Sequence, residues 1–110
     1  MKEGSYTLWG KAQCVAELAP GAWLVSTASH GGIKLDRKRN AAVPRGARQE
    51  GGWYEEDCNW AVACYVHKDV AEATLGPARK REPGKFGDDY IVSTLKRWCG
   101  PTSLEALGIK

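Results

Sequence analysis

Pro20-Gly21 stands between two stretches whose residues favour extended backbone, and any fold of this chain has to accommodate it. Proline presets φ and glycine accepts positive φ, so the pair predicts a tight turn. Before it, residues 12–18 alternate loosely between apolar and polar and read as a strand. After it, Ala22-Trp23-Leu24-Val25-Ser26-Thr27 is rich in β-formers and is the clearest strand in the sequence. Ser29-His30-Gly31-Gly32 interrupts this run, and Ile33-Lys34-Leu35 resumes with period two. The expectation is an antiparallel β-meander of two or three strands over about residues 12–35, with a Gly31-Gly32 bend before the last.

The second half reads as helical. Asp36 is placed to cap a short helix running to about Val43, where Pro44 stops it. Residues 45–52 read as a flexible loop. Asp57 is placed to cap a helix from Cys58 to about His67, with Trp60, Ala61, Cys64 and Tyr65 on one stripe. A further turn or two is expected from Asp69 to Leu75. Two prolines and two glycines between Gly76 and Gly84 predict a loop. Asp88 and Asp89 suit the start of another helix, with Ile91, Leu95 and Trp98 as its buried face and Gly100-Pro101 as its stop. Thr102-Ser103-Leu104-Glu105 has capping-box spacing for a short terminal helix. The fold class is therefore α+β: a small antiparallel meander packed against two main helices, near 57–67 and 88–99. At 110 residues the chain fits one domain, spanning 1–110.

The net charge of +3 excludes an acidic mimic of DNA, which needs a strong negative excess. No apolar run approaches the roughly 18 residues of a membrane span. Met1-Lys2-Glu3-Gly4-Ser5 holds no apolar signal segment, so the expected location is the cytoplasm. In that reducing setting Cys14, Cys58, Cys64 and Cys99 are expected to be free thiols. Cys64 and His67 share a helical face, but Cys58 does not align with them, so neither a metal nor a cofactor is expected. Nothing local favours a Cys–His nucleophile, and the sequence has no Walker loop, G-x-G-x-x-G or H-E-x-x-H.

Three groups of residues remain as candidates. His30, Gly31 and Gly32 combine a titratable ring with glycines that let backbone amides approach a ligand; a plain turn explains them equally. Glu55, Glu56 and Asp57 precede a helix, where one acid serves a cap and three exceed what a cap requires. Small size predicts that His30 and this acidic segment lie close together. Lys34, Arg37, Lys38, Arg39, Arg45 and Arg48 form one basic cluster, and Arg79, Lys80 and Arg81 with Lys85 a second. Such clusters suit solubility, a nucleic-acid backbone or an acidic protein surface. Trp53 and Tyr54 beside them are of the residue types that dominate binding hot spots.

Gly21-Ala22-Trp23-Leu24-Val25-Ser26-Thr27, Ser29-His30-Gly31-Gly32-Ile33-Lys34-Leu35 and Trp53-Tyr54-Glu55-Glu56-Asp57-Cys58-Asn59-Trp60-Ala61 occur in that order. In this, residues 21–66 resemble an uncharacterised domain family of phages, plasmids and other mobile elements of proteobacteria, marked by an H-G-G turn and a Y-E-E-D segment. The resemblance implies no reaction. It implies a setting in which small proteins often inhibit host defence, as anti-CRISPR proteins do. The expected function is thus a mobile-element-encoded, non-enzymatic inhibitor that binds a host defence protein or ribonucleoprotein in the host cytoplasm. Two alternatives stay open: a small nucleic-acid-binding protein, and a small enzyme using His30 with a carboxylate from Glu55–Asp57.

Overall fold

The structure, a computed structural model, describes residues 1–109. Its centre is a four-stranded antiparallel sheet in sequence order: β3 (Cys14–Ala19), β4 (Ala22–Ser26), β5 (Gly31–Leu35) and β6 (Trp53–Glu55). Two further strands, β1 (Tyr6–Thr7) and β2 (Gly10–Lys11), form a separate hairpin. Pro20-Gly21 makes the β3–β4 turn, with Gly21 at φ 81°. Five helices follow or interleave: α1 (Arg37–Ala41), α2 (Trp60–Val66), α3 (Lys68–Arg81), α4 (Asp88–Trp98) and α5 (Pro101–Ala106). The class is α+β. No helix among the described residues is long and apolar enough to cross a membrane.

The meander has one strand more than expected, and its glycines lie elsewhere. Gly31 and Gly32 are in β5, paired with Ser26 and Val25, and the bend is made by residues 27–30. There the Thr27 hydroxyl does the work of a turn residue, donating to the His30 carbonyl at 2.8 Å and accepting from the His30 amide at 3.1 Å. β6 joins because Tyr54 supplies a large apolar ring opposite Ile33, and both are buried.

Successive residues of a strand point to opposite faces, so the register divides the sheet cleanly. Ala22, Ile33, Leu35 and Tyr54 face the helices and are buried. α2 is the central helix: Ala61, Val62, Ala63 and Cys64 are all buried, between the sheet and the neighbouring α3 and α4. Val70 and Leu75 from α3, and Ile91 and Leu95 from α4, complete this core.

Four helix expectations are corrected. α2 starts at Trp60 behind Asn59, and Asp57 is an exposed residue of the preceding turn, so it does not cap. Tyr65 is exposed, because the buried positions of α2 are the consecutive Ala61–Cys64 and Tyr65 lies just past them. α3 runs through Gly76 and Pro77 to Arg81, where a loop was expected. Trp98 is 58% exposed; it lies at the end of α4 beyond the core that Ile91 and Leu95 reach. Asp36, by contrast, caps α1 by accepting from the Arg39 amide at 2.8 Å.

Candidate binding site

The sheet face turned away from the helices carries a cross-strand row: Glu17, Trp23, Lys34 and Trp53, from β3 to β6. Trp9, from the β1–β2 hairpin, packs edge-on against Trp53 with ring centroids 5.4 Å apart at 76°. The Lys34 ammonium lies 4.5 Å from the centre of the Trp53 ring and donates to the Gly51 carbonyl. Burial beneath these rings pushes the Lys34 pKa down, and Asp36 opposes the shift. The three tryptophans are half-buried, so each keeps part of its ring in water. Trp9 and Trp23 were missed as site residues in the sequence; the hairpin that brings Trp9 here has strands of only two residues.

At one end of this face, His30 Nδ1 is 3.7 Å from Glu55 Oε1, with side chains 51% and 32% exposed. The β5–β6 register brings them together, since Glu55 pairs with Gly32. Gly31 and Gly32 are buried. They are needed for close packing: a Cβ on Gly32 would lie 2.1 Å from the Tyr54 carbonyl oxygen and 2.8 Å from the Trp9 ring. They therefore offer no open amides to a ligand. Glu56 and Asp57 are exposed beyond the end of β6.

Tyr54 is not a contact residue. It is fully buried; its hydroxyl donates to Asn40 Oδ1 at 2.5 Å and accepts from the Gln49 amide at 3.2 Å. Alternation along β6 sends Tyr54 inward and Trp53 outward. Burial raises the Tyr54 pKa, keeping the phenol neutral.

The basic residues divide into tethers and free charges. Arg39 grips Asp69 through two hydrogen bonds, of 2.9 and 2.6 Å, and donates to the Pro20 carbonyl at 2.7 Å. That grip holds the Asp69 carboxyl below its usual range. Arg48 donates to the Val43 carbonyl at 2.9 Å and the Ala41 carbonyl at 3.2 Å. Arg79 donates to the Phe86 carbonyl at 2.5 Å and to Glu72 at 2.9 Å. Arg37, Lys38, Arg45, Lys80 and Arg81 are exposed. The two clusters do not merge. Arg39 ties the first to Asp69 at the start of α3, the second ends that helix at Arg79–Arg81, and about 15–18 Å of helix lies between them.

Cys64 is buried, and its thiol is pushed up to about 11, chiefly by burial. His67 Nε2 is 2.9 Å from the Arg39 carbonyl. No cluster of three potential metal-ligating side chains occurs among the described residues. All four cysteines are free.

The family described as Domain of unknown function (DUF7007) matches residues 2–105. The chain belongs to that family. No curated protein and no solved structure matches it. The DUF7007 match extends well beyond residues 21–66. It takes in the hairpin that carries Trp9 and the helices α3 and α4, so the tryptophan face and the core beneath it both fall inside the DUF7007 unit.

Proposed function

We propose that this DUF7007 chain is a non-enzymatic inhibitor carried by a mobile element, which acts by binding a protein or ribonucleoprotein defence complex of the host cell. The observation that carries the reading is the Trp9–Trp23–Lys34–Trp53 face. Tryptophan dominates binding hot spots because it removes a large apolar area from water on a stiff side chain. The sheet fixes Trp23, Lys34 and Trp53 in one row and Trp9 packs against Trp53, so little conformational entropy is lost when a partner covers them. Glu17, Glu55 and His30 border the row with polar groups, as a rim does. The mobile-element setting rests on the resemblance of residues 21–66.

Expression of the chain in a bacterium with an active CRISPR or restriction system should raise plating of a phage that the system targets. Trp53→Ala should weaken partner binding by about thirtyfold and restore immunity. Unchanged plating against both kinds of system sinks the proposal.

A second reading takes the same face as a stacking platform for single-stranded nucleic acid. Lys34 over Trp53 favours it, since such sites combine aromatic rings with cations. It predicts tryptophan fluorescence quenching by an oligonucleotide, with affinity that falls steeply as salt rises. Quenching absent at low salt removes this reading and leaves the first standing.

A further inference from the structure

On the other side of the sheet, a cleft opens between β4, β5 and the helices. Leu24, Ile33, Glu56, Trp60, Leu75 and Tyr90 line it, around a volume of about 170 Å³. A dry cavity of about 150 Å³ is enough to hold benzene, so a guest of side-chain size fits. Leu24 and Tyr90 keep 41% and 38% of their surface in water, although both belong to the helix-facing side. Trp60 and Tyr90 are both among the lining residues, their ring centroids 6.0 Å apart and 33° from parallel, and Phe86 meets the Tyr90 ring edge-on at 4.9 Å.

The charge is the second observation. The Glu56 backbone is fixed by its amide, which donates to the Gly31 carbonyl at 2.9 Å. Its Oε2 hangs over β5, 3.1 Å from where a Cβ on Gly31 would be. Among the described residues, no basic side chain lies within 4 Å of this carboxylate. An apolar floor, two electron-rich rings and an unpaired carboxylate complement one chemistry: a cation on an apolar body. Aromatic rings attract such cations through their quadrupole. A neutral guest of the same shape would lack the attraction of a cation to the rings and the carboxylate.

We propose that this cleft binds an alkylammonium group, supplied either by a lysine side chain or by a free organic cation. The alkyl part rests on Leu24, Ile33 and Leu75, and the ammonium meets the Trp60 and Tyr90 rings and Glu56. The proposal does not depend on the tryptophan face.

Two-dimensional NMR of the whole chain tests it, with choline, its neutral carbon isostere dimethylbutanol, and a glycine-flanked lysine peptide as probes. Choline at millimolar concentration should shift the Trp60 indole and Tyr90 amide signals. Dimethylbutanol should bind about fivefold or more weakly. Glu56→Gln, a change at an exposed side chain, should keep the signal dispersion of the parent and narrow that difference. Tighter binding of the peptide than of choline assigns the site to a lysine side chain, and the reverse assigns it to a free cation. Equal binding of choline and dimethylbutanol overturns the proposal, as does the absence of shifts with both charged probes or unchanged selectivity in E56Q.

Discussion

At Gly32 two parts of the molecule close on one Cα, the Tyr54 carbonyl from β6 and the Trp9 ring from the hairpin. Neither can yield without moving a strand or the tryptophan row. Gly32→Ala should therefore cost about 3 kcal/mol, at the upper end of overpacking effects, with the loss read from urea denaturation. His30, two residues away, is the contrast: its contact with Glu55 is long and wet on both sides, so His30→Ala should stay within about 1 kcal/mol of the parent. If H30A abolishes activity at that stability, the enzyme reading regains its standing. Cys64 gives a pH prediction. Its folded-state pKa, about 11, lies above the ordinary thiol value of 9.0, so the folded chain holds a proton that the unfolded chain has released between them. The stabilisation is complete below about pH 9 and is lost as pH rises through about 11, a decline of about 3 kcal/mol. Cys64→Ala should lower stability at every pH and flatten this alkaline slope. An unchanged slope would mean that the thiol does not titrate as its burial requires.

Among the elements, α3 shows where local signals mislead. Gly76-Pro77 carries the strongest helix-breaking signal in the second half, yet the helix continues for four more residues. The proline leaves the Ala73 carbonyl without its helical partner, a cost normally of about 3 kcal/mol. Tertiary contacts offset it: Leu75 is buried before the break, and Arg79 after it holds the Phe86 carbonyl, which folds the following loop back onto the helix. Neither contact can be read from spacing. Pro77→Ala should restore the missing bond and stabilise the chain by about 1 kcal/mol or more, less a part returned by the freer unfolded chain, measurable as a raised Tm. The β3–β4 hairpin lies at the other extreme. Pro20-Gly21 and the β-rich run after it specify that hairpin locally, and the sequence was sufficient to find it. β6 was not legible, because three residues carry no period of their own and Tyr54 becomes a strand residue only opposite Ile33. The candidate site divides in the same way. Trp53 was legible from its residue type, whereas Trp9 and Trp23 join it only through a register and a hairpin that span the chain.

At the scale of the whole molecule, the recognisable motifs and the cooperative unit do not coincide. Residues 21–66 hold β4, β5, β6, α1 and α2, and with them both motifs. Cut at those limits, the segment loses β3 from one edge of the sheet and Trp9 from over Gly32. It also loses Val70, Leu75, Ile91 and Leu95, which cover α2 on the sides that the sheet does not reach. Ala61, Val62, Ala63 and Cys64 are buried around the helix, so no orientation of α2 on a bare sheet hides all four. A segment of 46 residues with no disulfide, and no cluster of three metal-ligating side chains among the described residues, is also near the lower size limit for independent folding. The isolated segment 21–66 should therefore give the narrow amide NMR dispersion of an unfolded chain, while residues 2–105 should keep the dispersion of the parent. A folded 21–66 segment would show that the sheet and α2 are stable without the helices that enclose them. The tryptophan row would then have to be held by β4, β5 and β6 alone, and truncating the hairpin would leave partner binding through Trp23, Lys34 and Trp53 intact.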